Sequence, residues 1–415
     1  MRKIIRLLVL TALTLCGLSC SDSAAPVQPA KPPHQNPPIE LTAADKSLAE
    51  STNRFGFNLF REISAREPAG NNIFVSPLSV SYALGMTRNG AAGTTREAMN
   101  KTLELAGLTD REINEAYRNL TKILTRLDPT VAFKIANSIW SRIGKTIQPE
   151  FVTLSRDYFD ATVKEVDFLA PGTVDSIDNW VNINTNGKIK EIFKGGLPAD
   201  VAMLLMNAIY FKGTWTHLFD SAESYDGAFY LSDSTEISSR MMAREDTLLY
   251  FANDLFEAVD LPYGDENFSM AILLPLPSVT PEQVAAQLND ANWAVWRKSF
   301  YKAVMPIAMP RFRFEYGVKL NDALQALGMT IAFGGGADFS KMFVDGVGWI
   351  DQVKHKTFVQ VDENGTEAAA VTAVVMIDSF NPGMLINRPF IFLIHEHQSG
   401  AILFIGKIAR PVWNE

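Results

Sequence analysis

The chain has 415 residues, 47% hydrophobic and 20% charged, an ordinary globular profile with enough apolar material for a large core. No motif returns at a fixed period, which excludes a solenoid or a propeller. Outside its first 19 residues the chain carries 35 Lys and Arg against 46 Asp and Glu, a net of −11, and an acidic body argues against nucleic acid as a partner.

The first segment, 1–19, reads as an export signal. Arg2, Lys3 and Arg6 form a positive start, and Leu7 to Leu15 an apolar run too short to span a bilayer. Both cysteines of the chain lie at the end of this segment, Cys16 inside it and Cys20 directly after it. The run Gly17-Leu18-Ser19-Cys20 resembles a bacterial lipoprotein signal, with cleavage before Cys20 and lipid on its thiol, although Gly17 stands where that motif usually has Leu. Cleavage by an ordinary signal peptidase is the alternative. The expectation is an exported protein, anchored at the periplasm or cell surface by lipid or else secreted, with no other membrane contact. Residues 20–42, rich in Ser, Ala, Pro, Gln and Asn, read as a disordered tether. With no cysteine left for the folded part, 43–415, packing and not disulfides must hold it together.

Helices come first along the body. LTAADKSLAESTNRFGFNLFREIS has apolar spacings of three and four, with Thr42 as cap. SPLSVSYALGMTRNG comes next, with Ser76 as cap and Pro77 at the first helical position. REINEAYRNLTKIL is amphipathic, VAFKIANSIW reads as a strand, DSIDNWVNINTNGKI as a helix, and VAMLLMNAIYF as a strand covered on both faces. The second half is strand-rich: LLYFANDLFEAVDLP, FSMAILLP, VMPIAMPRFRFEY, KTFVQV, PFIFLIHE and AILFIGKI, interrupted by one clear helix, GVKLNDALQALGM. Helices first and strands later predict an α+β fold with large mixed or antiparallel sheets. No Pro/Gly/Ser linker divides it, so one intertwined domain is expected.

Hydrolase signatures are missing. There is no G-x-S-x-G elbow, no H-E-x-x-H and no cysteine nucleophile in the body. His395 and His397 would share one face of a strand as a metal pair, but with no third ligand evident they read as an exposed strand end, and no metal or other cofactor is expected. DENGTE begins like a calcium loop, yet its sixth position is Glu367 instead of glycine and its twelfth Ala373 instead of glutamate.

The informative segment is DENGTEAAAVTAVVMIDSF, residues 362–380. As a strand, one face carries Thr366, Ala368, Ala370, Thr372, Val374 and Met376, and the other Glu367, Ala369, Val371, Ala373 and Val375. The first is small or apolar throughout and suits a core. The second opens with a carboxylate and suits water or a covering helix. No proline interrupts the segment before Pro382. Such a stretch can enter the middle of a sheet, yet this much alanine would not suit a permanently buried strand.

Five separated motifs here resemble the serpins, over roughly Ala43 to the C-terminus. NIFVSPLSVSYALGMTRNGAAGTTREAM is similar to the second helix and the segment after it, and NAIYFKGTW to the third strand of the main sheet. MPRFRFEYGVKLNDALQALGM resembles the sixth strand and its helix, VKHKTFVQVDENGTEAAA the fifth strand and hinge, and NRPFIFLI the penultimate strand. The resemblance implies a large central mixed sheet, two further sheets, about eight or nine helices and an exposed reactive-centre loop at about 363–386. It implies a monomeric suicide inhibitor of serine endopeptidases and not an enzyme: the cut loop inserts into the sheet and drags the acyl-enzyme with it. The alternative within the family is a non-inhibitory binding protein or a passive substrate.

The resemblance also assigns residues. Glu363, Gly365, Thr366, Glu367, Ala368, Ala369 and Ala370 match the hinge of inhibitory members. Ser76, Ser79, Asn207 and His355 match the polar shutter beneath the line where the sheet opens, and Trp215 the breach where insertion begins. Counting from Glu363 puts the cut at Ser379-Phe380, while counting back from Asn387 gives Asp378-Ser379. Constrained insertion length favours the first, and Met376 or Ile377 would serve as secondary sites. Ser379 would suit elastase-like enzymes, and Asp378 aspartate-specific or caspase-like ones. Chymotrypsin-like, subtilisin-like and papain-like proteases are the other expected partners. No Arg or Lys occurs between Glu363 and Asn387, so trypsin-like targets are not expected.

Overall fold

The computed structural model describes residues 40–193, 197, 201–366 and 383–414. These described residues form one compact unit. Cys20, the later hinge residues Glu367, Ala368, Ala369 and Ala370, the secondary positions Met376 and Ile377, and the bond candidates Asp378, Ser379 and Phe380 lie outside the described residues.

Helix α1 (Ala43–Arg66) starts at a capping box, in which the Thr42 hydroxyl accepts from the Asp45 N–H and the Asp45 carboxylate accepts from the Thr42 N–H. Strand β1 (Ile73–Val75) leads into α2 (Pro77–Arg88), capped by Ser76 with proline at its start. Of the twelve residues of α2 only Ala83 is not buried, so this helix sits inside the molecule, polar Ser79, Ser81, Thr87 and Arg88 included. Next come α3 (Gly93–Thr102), α4 (Asp110–Leu124), β2 (Val131–Arg142), α5 (Pro149–Phe159), β3 (Thr162–Val166), α6 (Thr173–Asn184) and β4 (Met203–Thr214). The second half gives β5 (Tyr225–Tyr230), β6 (Glu236–Ala252), β7 (Phe256–Tyr263), β8 (Phe268–Pro275), α7 (Pro281–Gln287), α8 (Asp290–Ser299), β9 (Tyr301–Pro310) and β10 (Phe312–Lys319). The chain closes with α9 (Asn321–Leu324), β11 (Lys354–Asp362), β12 (Gly365–Thr366), β13 (Met384–Leu385), β14 (Phe390–Glu396) and β15 (Ile402–Ile408).

Two differences from the sequence reading have local causes. GVKLNDALQALGM does not form one helix: Gly317 to Lys319 complete β10, where Val318 pairs with His355, and α9 then passes into a π turn at Gln325–Met329. Gly328, at φ +114°, takes a conformation that ends regular helix. The short helices α7 and α8 went unread between the strands. The first has seven residues, and the second announces itself only by two buried tryptophans three apart, Trp293 and Trp296.

The strands form two hydrogen-bonded sheets. One has six strands in the order β10-β11-β12-β4-β2-β3. It is mixed, because β2 and β3 are parallel while its other neighbours are antiparallel. The other has nine strands, and β6 makes it continuous. Over its 17 residues β6 pairs with β5 at one end, with β7 at the other and with β9 between, so the two further sheets merge into one ladder. The core lies between the sheets and around α1 and α2, and Phe74 stacks on Phe404 at 4.9 Å within it. A second cluster under α6 gathers Trp140, Ile177 and Val181 against β4.

Candidate functional site

Among the described residues, the central sheet is not closed between β4 and β11. β2 pairs with β4 from Val131↔Gly213 to Ser141↔Met203, and β10 pairs with β11 from Phe312↔Val361 to Lys319↔Lys354. On their facing edges, the described residues pair only through the two residues of β12: Gly365 with Thr214 and Asp362, and Thr366 with Gly213 and Val361. β12 is antiparallel to both neighbours, so β4 and β11 run parallel to each other, separated there by the width of one strand. A chain continuing from Thr366 in the same direction would extend both ladders.

The top of this slot is built to seat β12. Gly365 has φ +144°, and a Cβ on it would lie 2.1 Å from the Gly213 carbonyl oxygen and 2.7 Å from Thr214 Cα, so only glycine fits. Thr366 is buried, and its hydroxyl lies 2.6 Å from that of Tyr263. Its side chain thus faces the core, the face expected for it. Tyr263 stacks on Trp215 with centroids 4.4 Å apart and planes at 9°. The Trp215 indole Nε1 donates to the Asp362 carbonyl at 2.9 Å, and its backbone N–H donates to the Asn364 carbonyl at 2.9 Å. Glu363 is buried as well. Its carbonyl accepts from the Phe219 N–H at 2.9 Å, and its Oε1 accepts from the Ser224 hydroxyl at 2.8 Å. The turn Asp362–Thr366 is therefore held from four sides by Trp215, Phe219, Ser224 and Tyr263.

Lower in the slot, the N-terminus of α2 bridges the parted strands. His355 on β11 accepts the Ser76 N–H at its Nε2, at 3.0 Å. Burial pushes this imidazole down to about 4, so it stays neutral and serves as an acceptor. The Ser76 hydroxyl caps Ser79 at 3.1 Å and donates to the Leu403 carbonyl at 2.7 Å. The Ser79 hydroxyl in turn donates to the Asn207 amide oxygen on β4. Ser76, Ser79, Asn207 and His355 thus meet in one network, with α2 holding one strand at each of two neighbouring serines. Asn207 also donates to Asn137 on β2 at 2.8 Å, and Asn137 to the Phe159 carbonyl at 2.7 Å.

Beneath the stub lies a cavity of about 310 Å³, lined among others by Ser79, Ala83, Met206, Asn207, His355 and Lys356. The sequence reading missed Asn137, Tyr263, Phe219 and Ser224. Asn137 had a visible signal, since NSIW on β2 repeats the Asn-x-Ile pattern of NAIYF on β4, and the two asparagines are register partners. The others come from a turn and a strand end with no pattern of their own. His395 corrects an expectation: it is buried, not at an exposed strand end, and Asp260 lies 3.0 Å from its Nε2.

Known proteins carry the same architecture. The family described as Serpin (serine protease inhibitor) matches residues 50–411. An uncharacterized serpin-like protein of Thermococcus kodakarensis is 32% identical over 375 residues, covering 88% of this chain and 86% of that protein. The leukocyte elastase inhibitor of Sus scrofa is 31% identical over 381 residues, 88% of this chain and 100% of that one. Among solved structures, the thermophilic serpin tengpin in its native state superposes with a TM-score of 0.78 at 29% identity, covering 90% of this chain and 97% of its own. Thyroxine-binding globulin in complex with thyroxine gives 0.80 at 25% identity, covering 88% and 99%. The parted sheet with its seated stub and the match over most of the length lead to one statement: the chain belongs to the serpin family.

Proposed function

We propose that this protein is a single-use inhibitor of serine endopeptidases that traps the acyl-enzyme by inserting its cut loop between β4 and β11. The observation that carries the reading is β12, seated antiparallel between two strands whose facing edges pair with no other described residue. About fourteen further residues at ~3.3 Å each would move an attached protease by roughly 45 Å. New ladder bonds at ~0.5–1.5 kcal/mol net apiece would favour the inserted form by on the order of 10 kcal/mol. The intact protein is then metastable, held by a kinetic barrier. It acts as bait and not as an enzyme. The cut falls at Ser379-Phe380, or one residue earlier at Asp378-Ser379. Elastase-like, chymotrypsin-like and subtilisin-like enzymes are the favoured targets, with caspase-like and papain-like cysteine proteases behind them. We also propose export, with Cys20 carrying a lipid anchor.

The test mixes the protein with elastases, chymotrypsin, subtilisin and papain, followed by a denaturing gel and the mass of the released C-terminal peptide. A band at the summed mass supports the proposal, and the peptide mass fixes the bond. Cleavage without that band by every member of the panel contradicts it. A second reading, carriage of a small apolar molecule, is favoured by the cavity of about 310 Å³ and by likeness to a thyroxine-bound neighbour. The melting temperature of the cut form separates the two: inhibition predicts a large gain, and a pure carrier none.

A further inference from the structure

The nine-stranded sheet carries a cluster of ligating side chains that inhibition does not use. Asp260 on β7, His395 on β14 and His397 in the turn after it each offer one ligand atom, all within 4.8 Å of one another. β8 runs between β7 and β14, and its residues at this level are small: Ser269 pairs with His395, and Ala271 with Asp260. The carboxylate and the imidazoles therefore meet over β8. The i, i+2 spacing sets both histidines on one face, with ring centroids 5.1 Å apart.

The distances suit a metal. His395 Nε2 lies 3.0 Å from Asp260 Oδ1, and His397 Nε2 lies 3.5 Å from Asp260 Oδ2. Ligands ~2.0–2.2 Å from a tetrahedral zinc stand roughly 3.3 Å apart, so a contact of 3.0 or 3.5 Å to one Asp260 oxygen approximates one edge of such a tetrahedron, and the remaining ligand atom lies within 4.8 Å. Asp260 and His395 are buried, while the His397 side chain is 32% exposed, which leaves the fourth corner toward water. His395 Nδ1 is buried with no hydrogen-bond partner among the described residues, so whatever sits at Nε2 sets the ring's position. The Ser269 hydroxyl, 2.7 Å from His397 Nε2, would be left to bond a solvent ligand. Arg297 donates to the His397 carbonyl at 3.2 Å, which holds the turn while its charge opposes a cation.

We propose that Asp260, His395 and His397 form a binding site for a divalent transition metal of the zinc class, with three protein ligands and one solvent ligand. Two imidazoles and one carboxylate favour zinc, cobalt or nickel over calcium or magnesium, which prefer oxygen ligands throughout. The metal would clip β7 to the end of β14, and its binding can be measured whether or not the chain inhibits a protease.

The full chain, stripped with chelator, is titrated with Zn²⁺ by calorimetry and with Co²⁺ by visible absorption, beside a Cys16→Ser/Cys20→Ser form that removes the thiols. One equivalent bound in both forms, four-coordinate cobalt bands and a rise in melting temperature with Zn²⁺ are expected. His397→Ala, at a partly exposed position, should weaken binding at least tenfold and abolish the melting shift. Asp260→Asn, which keeps the side chain's shape, should do the same, while His217→Ala should change nothing. No binding to the thiol-free form, or an equal melting shift in His397→Ala, overturns the proposal.

Discussion

The two sheets use their hydrogen-bonding capacity differently. In the nine-stranded sheet, β8 and β14 are paired on both edges over most of their lengths, and every residue of β8, β14 and β15 is buried. In the six-stranded sheet, β4 and β11 are paired on their outer edges up to Gly213 and Val361, but their facing edges meet only the two residues of β12 among the described residues. The first sheet is finished. The second leaves those edges otherwise unpaired among the described residues, with a glycine, a threonine socket and a serine-capped helix arranged around them. Under the proposed loop insertion, the closed sheet is the part that keeps the protein folded while the other opens.

Five changes should sharpen or break that contrast. Leu393 is fully buried on β14 in the finished sheet, so Leu393→Ala should cost ~2–5 kcal/mol in urea unfolding while leaving the yield of covalent protease complex unchanged. A loss of complex without a loss of stability would break the division of labour. Second comes pH. The His355 value of about 4 lies below the unfolded 6.5, so the unfolded chain takes the proton first. Stability should be complete above about pH 6.5, fall through the window down to about pH 4 and then level off, a loss on the order of 3 kcal/mol. His355→Gln should flatten that slope in denaturant titrations, and an unchanged slope would sink the assignment.

Third, Gly365→Ala combines a disfavoured φ with a clash against the β4 backbone and should cost on the order of 2–3 kcal/mol, expelling β12. The gain in melting temperature on loop cleavage should shrink, and an undiminished gain would show that seating β12 is not needed. The smallest effect is expected for Tyr263→Phe, which removes the hydroxyl facing Thr366 and should lower stability by about 1 kcal/mol. Thr366→Arg at the same socket would bury a charge, so it should convert inhibitor to substrate on the gel. Preserved complex formation in that variant would argue against insertion.

Much of this was legible because the residues concerned carry strong local rules. Thr42, Ser76 and Pro77 announce helix starts through capping chemistry, and the apolar runs of β8, β14 and β15 announce buried strands. The slot was foreseen only indirectly, as a segment suited to both water and sheet. The partners that hold its top could not be read: Tyr263, Phe219 and Ser224 lie 103, 144 and 139 residues before the atoms they hold. The same distance hid the relation of His395 to Asp260, 135 residues apart. Periodicity reports which face a residue takes, and it carries no information about which distant strand lies across from it.

The central claim is that the facing edges of β4 and β11 are reserved for the cut loop. Hydrogen–deuterium exchange read by mass spectrometry, before and after cleavage at the loop, tests it directly. The account predicts that peptides covering Met203–Thr214 and Lys354–Asp362 exchange readily in the intact protein and become strongly protected once the loop is cut, while β14 and β15 stay protected throughout. Unchanged exchange along β4 and β11 after cleavage would contradict it.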